Sequence, residues 1–258
     1  MAINTRKISD WLSANGQAIT NASAASMKAY LEQNLRSLQD GVYIGKMQND
    51  GWGTQTGDEN AVIGSYKRIE PWQTTGIGIS SGDADAIVIQ HGGYRLGIAL
   101  TEPSNAMKWG SVQNASSVGY QASVDLNTFD GSTRTAGIMA SSYYKNDDPA
   151  TYGVAYCWNY MTERTEGSKI CQIGKHNWWL PTMGDLALIH QHFETINLAL
   201  QRIKDAGKQS VSLLQRANYW SCVENSGTGA WNLLFDNGLR GNYGKVDDSS
   251  RVRPVTAF

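Results

Sequence analysis

Proline is scarce in this chain, at five in 258 residues, and cysteine is scarcer, at three. Three cysteines cannot all pair internally, so no dense disulfide framework holds the fold. A Cys157–Cys171 bridge and three buried or free thiols are both compatible with the sequence, and the redox compartment stays open. None of the three lies in a CxxC pair of the kind that binds zinc. Charged residues are only 17% and the formal net charge is −1. That balance lacks the basic footprint expected of a nucleic-acid partner or of adhesion to acidic lipid. Nowhere do 18 apolar residues run together, which argues against membrane insertion. The opening stretch MAINTRKISDWLSANGQAIT has no apolar core of the kind a standard secretion signal needs. Low-complexity segments are also missing, so long disorder is not expected.

Glycine (27), tryptophan (9) and tyrosine (12) are plentiful instead. This mixture favours short strands, tight turns and aromatic surfaces. A chain of this length suits one large domain or a core domain with an appendage. It can bury roughly three quarters of its unfolded surface.

In residues 21–39, Met27, Leu31, Leu35 and Leu38 recur at helical spacing, and Asp40-Gly41 closes the run. Such a helix either packs on its own domain or helps an N-terminal module oligomerise or dock. Residues 42–101 read as β. GVYIGK, AVIGSYKRI, TGIGISS, DAIVIQHG and YRLGIAL are short β-branched runs separated by Gly, Asp and Ser. Residues 102–147 read as loop-rich. Asp148-Pro149 predicts the start of a helix over 148–162. Thr182 and Asp185 form a capping-box pattern. Leu186, Ile189, Phe193, Ile196, Leu200 and Ile203 follow at helical steps, with Gly207 just beyond, which predicts one long amphipathic helix laid on a sheet.

The tail, 219–258, reads as antiparallel strands. In AWNLLFDNG, alternation places Trp231, Leu233 and Phe235 on one face. Asn232, Leu234 and Asp236 fall on the other, as an outward set. Asn237-Gly238 is a strong hairpin signal, and Pro254 marks the last strand as an edge. Rigid-looking residues in this tail alternate with positions of no common character.

The segment NWWLPTMGDLALI, followed by YWSCVEN, AWNLLFDNG, Lys245 and SSRVRPV, resembles the C-type-lectin-fold variable proteins of diversity-generating retroelements. It is also similar to related C-type-lectin-like proteins of gut bacteria and their phages. The matching residues are Leu180, Pro181, Gly184, Asp185, Leu186, Tyr219, Trp220, Ser221, Glu224, Ala230, Trp231, Phe235, Asn237, Gly238, Lys245 and 251–254. The resemblance covers about 85–258 and is strongest from 177 onward. It implies an α+β, C-type lectin-like fold over 79–258, a small twisted antiparallel sheet with two helices. Before it, 1–78 would form an N-terminal helix and a β-rich attachment segment.

The resemblance further implies a ligand-binding variable region at about 219–258, with residues replaced by adenine-directed mutagenesis at chosen codons. On the family pattern these are Cys222, Val223, Asn225, Ser226, Gly227, Thr228, Asn232, Leu234, Asp236, Leu239, Gly241, Asn242, Tyr243, Gly244, Val246, Asp247, Asp248 and Ser250. The implied activity is binding to a protein or glycan on a cell surface, without catalysis or a cofactor. The implied setting is a phage tail or bacterial surface structure, with homo-oligomer formation or assembly into that structure. A fixed-specificity lectin-like adhesin, or a fimbrial or tail subunit binding a glycan, is the alternative.

Other chemistry is weakly supported. His190 and His192 are two apart on a helix and diverge, and with His91 and His176 they read as structural or surface residues. Asp247 and Asp248, with Asp236 and Glu224, lack the ordered loop spacing of calcium sites, and the signatures of calcium-dependent sugar-binding lectins are missing. No GxSxG motif or recognisable Cys–His pair is present, and Cys222 has no second cysteine suitably placed for an oxidase of the same broad fold. Arg251 and Arg253 read as structural, bonding loop carbonyls or pairing with Glu224 or Asp185. Trp178, Trp179, Trp220 and Trp231 read as core, and Tyr243 as a ligand contact.

Overall fold

The computed structural model describes residues 40–47, 63–69, 84–166, 169–207, 210–247 and 250–257. The expected helix over 21–39 and the TGIGISS run lie outside these residues. Two compact units divide the chain: 1–40 with 90–94, and 41–89 with 95–258. In the described part of the first, the Asp40 carboxylate accepts from the Gly92 N–H at 2.8 Å.

The described residues form a mixed α+β structure with antiparallel sheets and four helices. Strands β1 (Gly41–Met47), β2 (Ile63–Ile69), β3 (Ala86–His91), β4 (Tyr94–Ile98) and β10 (Val255–Ala257) make a five-stranded sheet in the order β10-β4-β3-β1-β2. It therefore joins strands from both sides of residue 79. In β3 five consecutive residues are buried. The first four, Ala86 to Ile89, are an apolar run of the kind found where both faces of a sheet are covered, and the fifth is Gln90. Val255 pairs with Ile98, and Ala257 with Leu96. The closing strand thus lies at the sheet edge, where Pro254 can precede it without breaking a ladder.

Helix α1 (Gly131–Ala140) arises where the sequence reads as loop. Only Gly131, Thr135 and Ile138 of this helix are buried, so the apolar stripe is too thin to be seen as periodicity. Helix α2 (Gly153–Asn159) is shorter than the expected 148–162. Asp148 does not cap it. Its carboxylate accepts from the Ala150 N–H at 3.0 Å instead, in a turn that precedes the helix. The hairpin β5 (Thr162–Glu166) and β6 (Lys169–Ile173) follows.

The expected long helix is two helices, α3 (Met183–Gln191) and α4 (Phe193–Asp205), which meet at His192. The Thr182–Asp185 capping box forms reciprocally at the start of α3. Phe193, Ile196, Leu200 and Ile203 are buried along α4, which packs on β1, while α3 packs on the tail strands. Ala206 ends α4, and Gly207 follows at φ 97°. No described helix is long and apolar enough to cross a membrane.

Candidate functional site

The tail folds into strands β7 (Asn218–Glu224), β8 (Gly229–Leu234) and β9 (Arg240–Gly244), which form a three-stranded antiparallel sheet in that order. Trp220 stands opposite Asn232, and Asn232 opposite Gly241. Pairing of β7 with β8 shifts between Trp220 and Glu224. In that irregular stretch the Ser221 hydroxyl donates to the Trp231 carbonyl at 2.9 Å. The Cys222 N–H donates to the Pro181 carbonyl at 2.8 Å, which ties β7 to the start of α3. Trp220 is fully buried, and its indole N–H donates to the Met107 carbonyl at 2.9 Å.

Two buried charge clusters fasten this sheet to the loops before it. In the first, Lys245 Nζ donates to Glu224 Oε1 at 2.7 Å and to the Ala115 carbonyl at 2.7 Å. Both side chains are fully buried. The ammonium also lies 5.0 Å from the centre of the Trp109 ring, in cation–π range. Glu224 Oε2 accepts from the Ser117 N–H and hydroxyl, each at 3.1 Å, and from the Val118 N–H at 3.2 Å. Burial lowers the Lys245 pKa, and the Glu224 hydrogen bond and charge oppose that shift. A buried pair holds together only when further hydrogen bonds satisfy its remaining atoms, as the 115–118 loop does here. Backbone bonds complete the seam, with the Gln121 N–H donating to the Glu224 carbonyl and the Ala115 N–H to that of Gly227.

The second cluster centres on Glu102. Its carboxylate accepts from the Tyr219 hydroxyl at 2.9 Å, pairs with Arg253 at 3.3 Å and pairs with Arg251 at 3.2 Å. Burial raises the Glu102 pKa, against the pull of Arg253 and Arg251. Arg253 also donates to the Ser212 carbonyl at 2.8 Å, and Arg251 to those of Pro103 and Ser104, each at 3.1 Å. The guanidinium forks therefore hold loop carbonyls, but their carboxylate is Glu102. Glu224 is taken by Lys245 and Asp185 by the capping box.

The sequence-derived binding positions distribute unevenly over this scaffold. Thr228, Asn242, Tyr243 and Asp247 are exposed, and Asn225, Ser226, Gly227, Gly244 and Val246 are half-buried. These nine lie at one end of β8. Leu234 is half-buried, Asp236 is exposed, and Leu239 is 64% exposed, at the other end. The nearest members of the two groups, Asn242 opposite Trp231 and Leu234, are three residues or about 10 Å apart along β8. Gly241 is half-buried on β9 between them. Asp248 lies outside the described residues.

Cys222, Val223, Asn232 and Ser250 are buried. Asn232 is fully buried and Trp231 half-exposed, against the alternation, whereas Leu233 and Phe235 are buried and Leu234 and Asp236 reach the surface in line with it. Asn232 shares its cross-strand row with Gly241 and with Trp220, which is itself fully buried and bonded to the Met107 carbonyl. Trp178, Trp179 and Trp220 are core, as expected, whereas Trp231 hydrogen-bonds the Gln121 carbonyl at 2.7 Å from the rim.

The first group gains two residues that sequence reading passed over. Tyr120 is 51% exposed and Tyr143 is 48% exposed. A Cβ built on Gly227 would lie 3.0 Å from the Tyr120 hydroxyl. Tyr143 sits 6.2 Å, ring to ring, from Tyr144, whose hydroxyl reaches Lys245 at 3.5 Å. The available signal was the aromatic residues in otherwise polar loops, SSVGYQAS and SSYYKNDD, a composition suited to contact surfaces.

Cys157 and Cys222 are free thiols, and burial pushes both pKa values up, which disfavours the reactive thiolate. His176 is stacked 4.6 Å from Trp158, His190 lies against the 237–238 turn, and His91 is exposed. Among the described residues, no three His, Cys, Asp or Glu side chains come together in a way that could hold a metal ion.

No protein-family model matches the chain, and no curated protein matches it. Among solved structures it is similar to a fimbrial protein from Bacteroides ovatus ATCC 8483, at 11% identity and a TM-score of 0.47. The likeness covers 86% of this chain and 49% of that one, so the chain spans about half of that protein's length. A likeness of this degree carries neither a fold nor a function across.

Proposed function

We propose that this protein is a non-enzymatic binding protein whose C-terminal part has a C-type lectin-like fold and presents a diversified face to targets on a cell surface. The face is the end of the tail sheet made by 225–228, 242–244, 246 and 247, bordered by Tyr120 and Tyr143. One observation carries this reading. Trp220, Glu224, Lys245 and Arg253 are fully buried and hydrogen-bonded to loops upstream, while the residues between Glu224 and Gly229 and those around Lys245 reach the surface. Residues in such loops can change at little cost, because the fixed residues hold the backbone. Adenine-directed mutagenesis by a retroelement would exploit that freedom. Sequencing the locus tests it. A reverse transcriptase and a second tail copy differing at adenines are expected nearby, and their absence removes the diversification.

A second reading, a lectin-like adhesin or a fimbrial or tail subunit with fixed glycan specificity, is favoured by Tyr120 and Tyr143. They lie outside the tail and would present constant aromatic faces to a sugar. Glycan-array binding of the full chain that is lost in Tyr120→Ala would support it. Binding that needs calcium and fails in Asp247→Ala would do the same.

A further inference from the structure

Four of the tail positions assigned to ligand contact are buried, and two of them are polar without being tethered. Neither the side-chain nitrogen nor the oxygen of Asn232 has a hydrogen-bond partner, and the Ser250 hydroxyl has none. Glu224 and Lys245, equally buried, are bonded on every side. Asn232 is thus enclosed by the sheet but not held by it. What it touches is the edge strand. A Cβ built on Gly241, its partner across the ladder, would lie 2.8 Å from Asn232 Oδ1 and 3.7 Å from Cγ. Real Cβ atoms essentially never come so close, so one group must move. Gly241 has no left-handed φ, so its backbone would accept any residue. Space alone keeps it glycine.

Gly244 provides the contrast. A Cβ there would come still closer, 2.2 Å from Asp247 Oδ2. Asp247 is exposed, so a clash there has solvent beside it in which to be relieved. The Asn232 amide is fully buried and short, with no open direction to take. The longer distance therefore belongs to the stronger constraint.

We propose that positions 232 and 241 act as one coupled unit of the binding face. The side chain at 232 touches no partner itself, and its size sets how large a residue position 241 can present to one. Diversity at 241 is then conditional on a small residue at 232. This rests on the binding-face reading for its functional meaning, but the coupling is measured on the protein alone.

The experiment is a double-mutant cycle on the full chain, with Gly241→Ala and Asn232→Ala singly and together, and Gly244→Ala as the comparison, all followed by urea unfolding. Gly241→Ala is expected to lower the folding equilibrium at least fivefold, roughly, in the native background, and by less than about twofold when Asn232→Ala is present. Gly244→Ala should stay within about twofold of the parent. If Gly241→Ala fails to fold, a folded double variant carries the same conclusion, and a double variant that also fails overturns it. Equal losses in the two backgrounds, or no loss in the native one, overturn it too. A display library randomised at 232 and 241 and sorted for folded protein gives a second measurement. Large residues at 241 are expected only beside Gly, Ala or Ser at 232, and independent distributions would refute the coupling. None of these outcomes depends on whether a retroelement lies at the locus.

Discussion

Lys245→Met would leave the Glu224 carboxylate buried beside three donors but without its counter-charge. Removing one partner of a buried pair costs about 3–5 kcal/mol, a large share of a domain's net stability of roughly 5–15 kcal/mol. Urea unfolding is expected to show that loss. Thr228→Ala and Asn242→Ala, made at exposed positions, should each stay within about 0.5 kcal/mol of the parent. The same experiment on both sets therefore compares fixed with replaceable residues directly. Of the fixed residues, Lys245, Arg251 and Arg253 could be recognised in the sequence, but the carboxylate joining the two arginines could not. Glu102 lies 151 residues from Arg253 in the chain, in a loop with no periodicity to mark it. Local pattern carries no trace of a partner so distant.

At the scale of elements, the signals that survived are those with a short-range cause. Thr182 Oγ1 accepts from the Asp185 N–H at 3.0 Å, and Asp185 accepts from the Thr182 N–H at 2.9 Å, as their spacing predicts. Thr182→Ala should cost about 1 kcal/mol and lower Tm by roughly 2–4 °C, read by calorimetry. Asn237-Gly238 forms a turn with Gly238 at φ 74° and its open side against the His190 ring, 3.0 Å from a built Cβ. Gly238→Ala meets both strain and collision, and is expected to destabilise by more than about 1 kcal/mol in the same measurement. Elements whose burial depends on distant neighbours were illegible. The thin stripe of α1 hid a helix, and alternation along β8 assigned Asn232 to solvent because it presumed one open face. Nothing in AWNLLFDNG says which residues from elsewhere in the chain cover the Asn232 face. The N-cap predicted at Asp148 became a turn, since a carboxylate beside proline serves either structure equally well.

For the molecule as a whole, alkaline pH is the most direct probe of its aromatic interior. Burial raises the pKa of Tyr144, Tyr156, Tyr160 and Tyr219 above the ordinary phenol value of 10.0, with neighbouring charge adding to the shift at Tyr144 and Tyr219. A raised folded pKa means that the folded state keeps protons the unfolded chain gives up. The stability these phenols contribute is therefore whole below pH 10 and drains away as pH climbs past it. Ultraviolet titration should show the four ionising only as the fold is lost, and early ionisation of all twelve tyrosines would contradict their burial. The span between Glu102 and Arg253 has a kinetic consequence as well. Contacts between residues so far apart in sequence are characteristic of slow-folding chains. Residues at 225–228, 242–244, 246 and 247 make none of the bonds of that cluster, so exchanging them should alter the unfolding rate, if any, and leave the refolding rate alone. Copies bearing different tails would then reach the native state on a common clock.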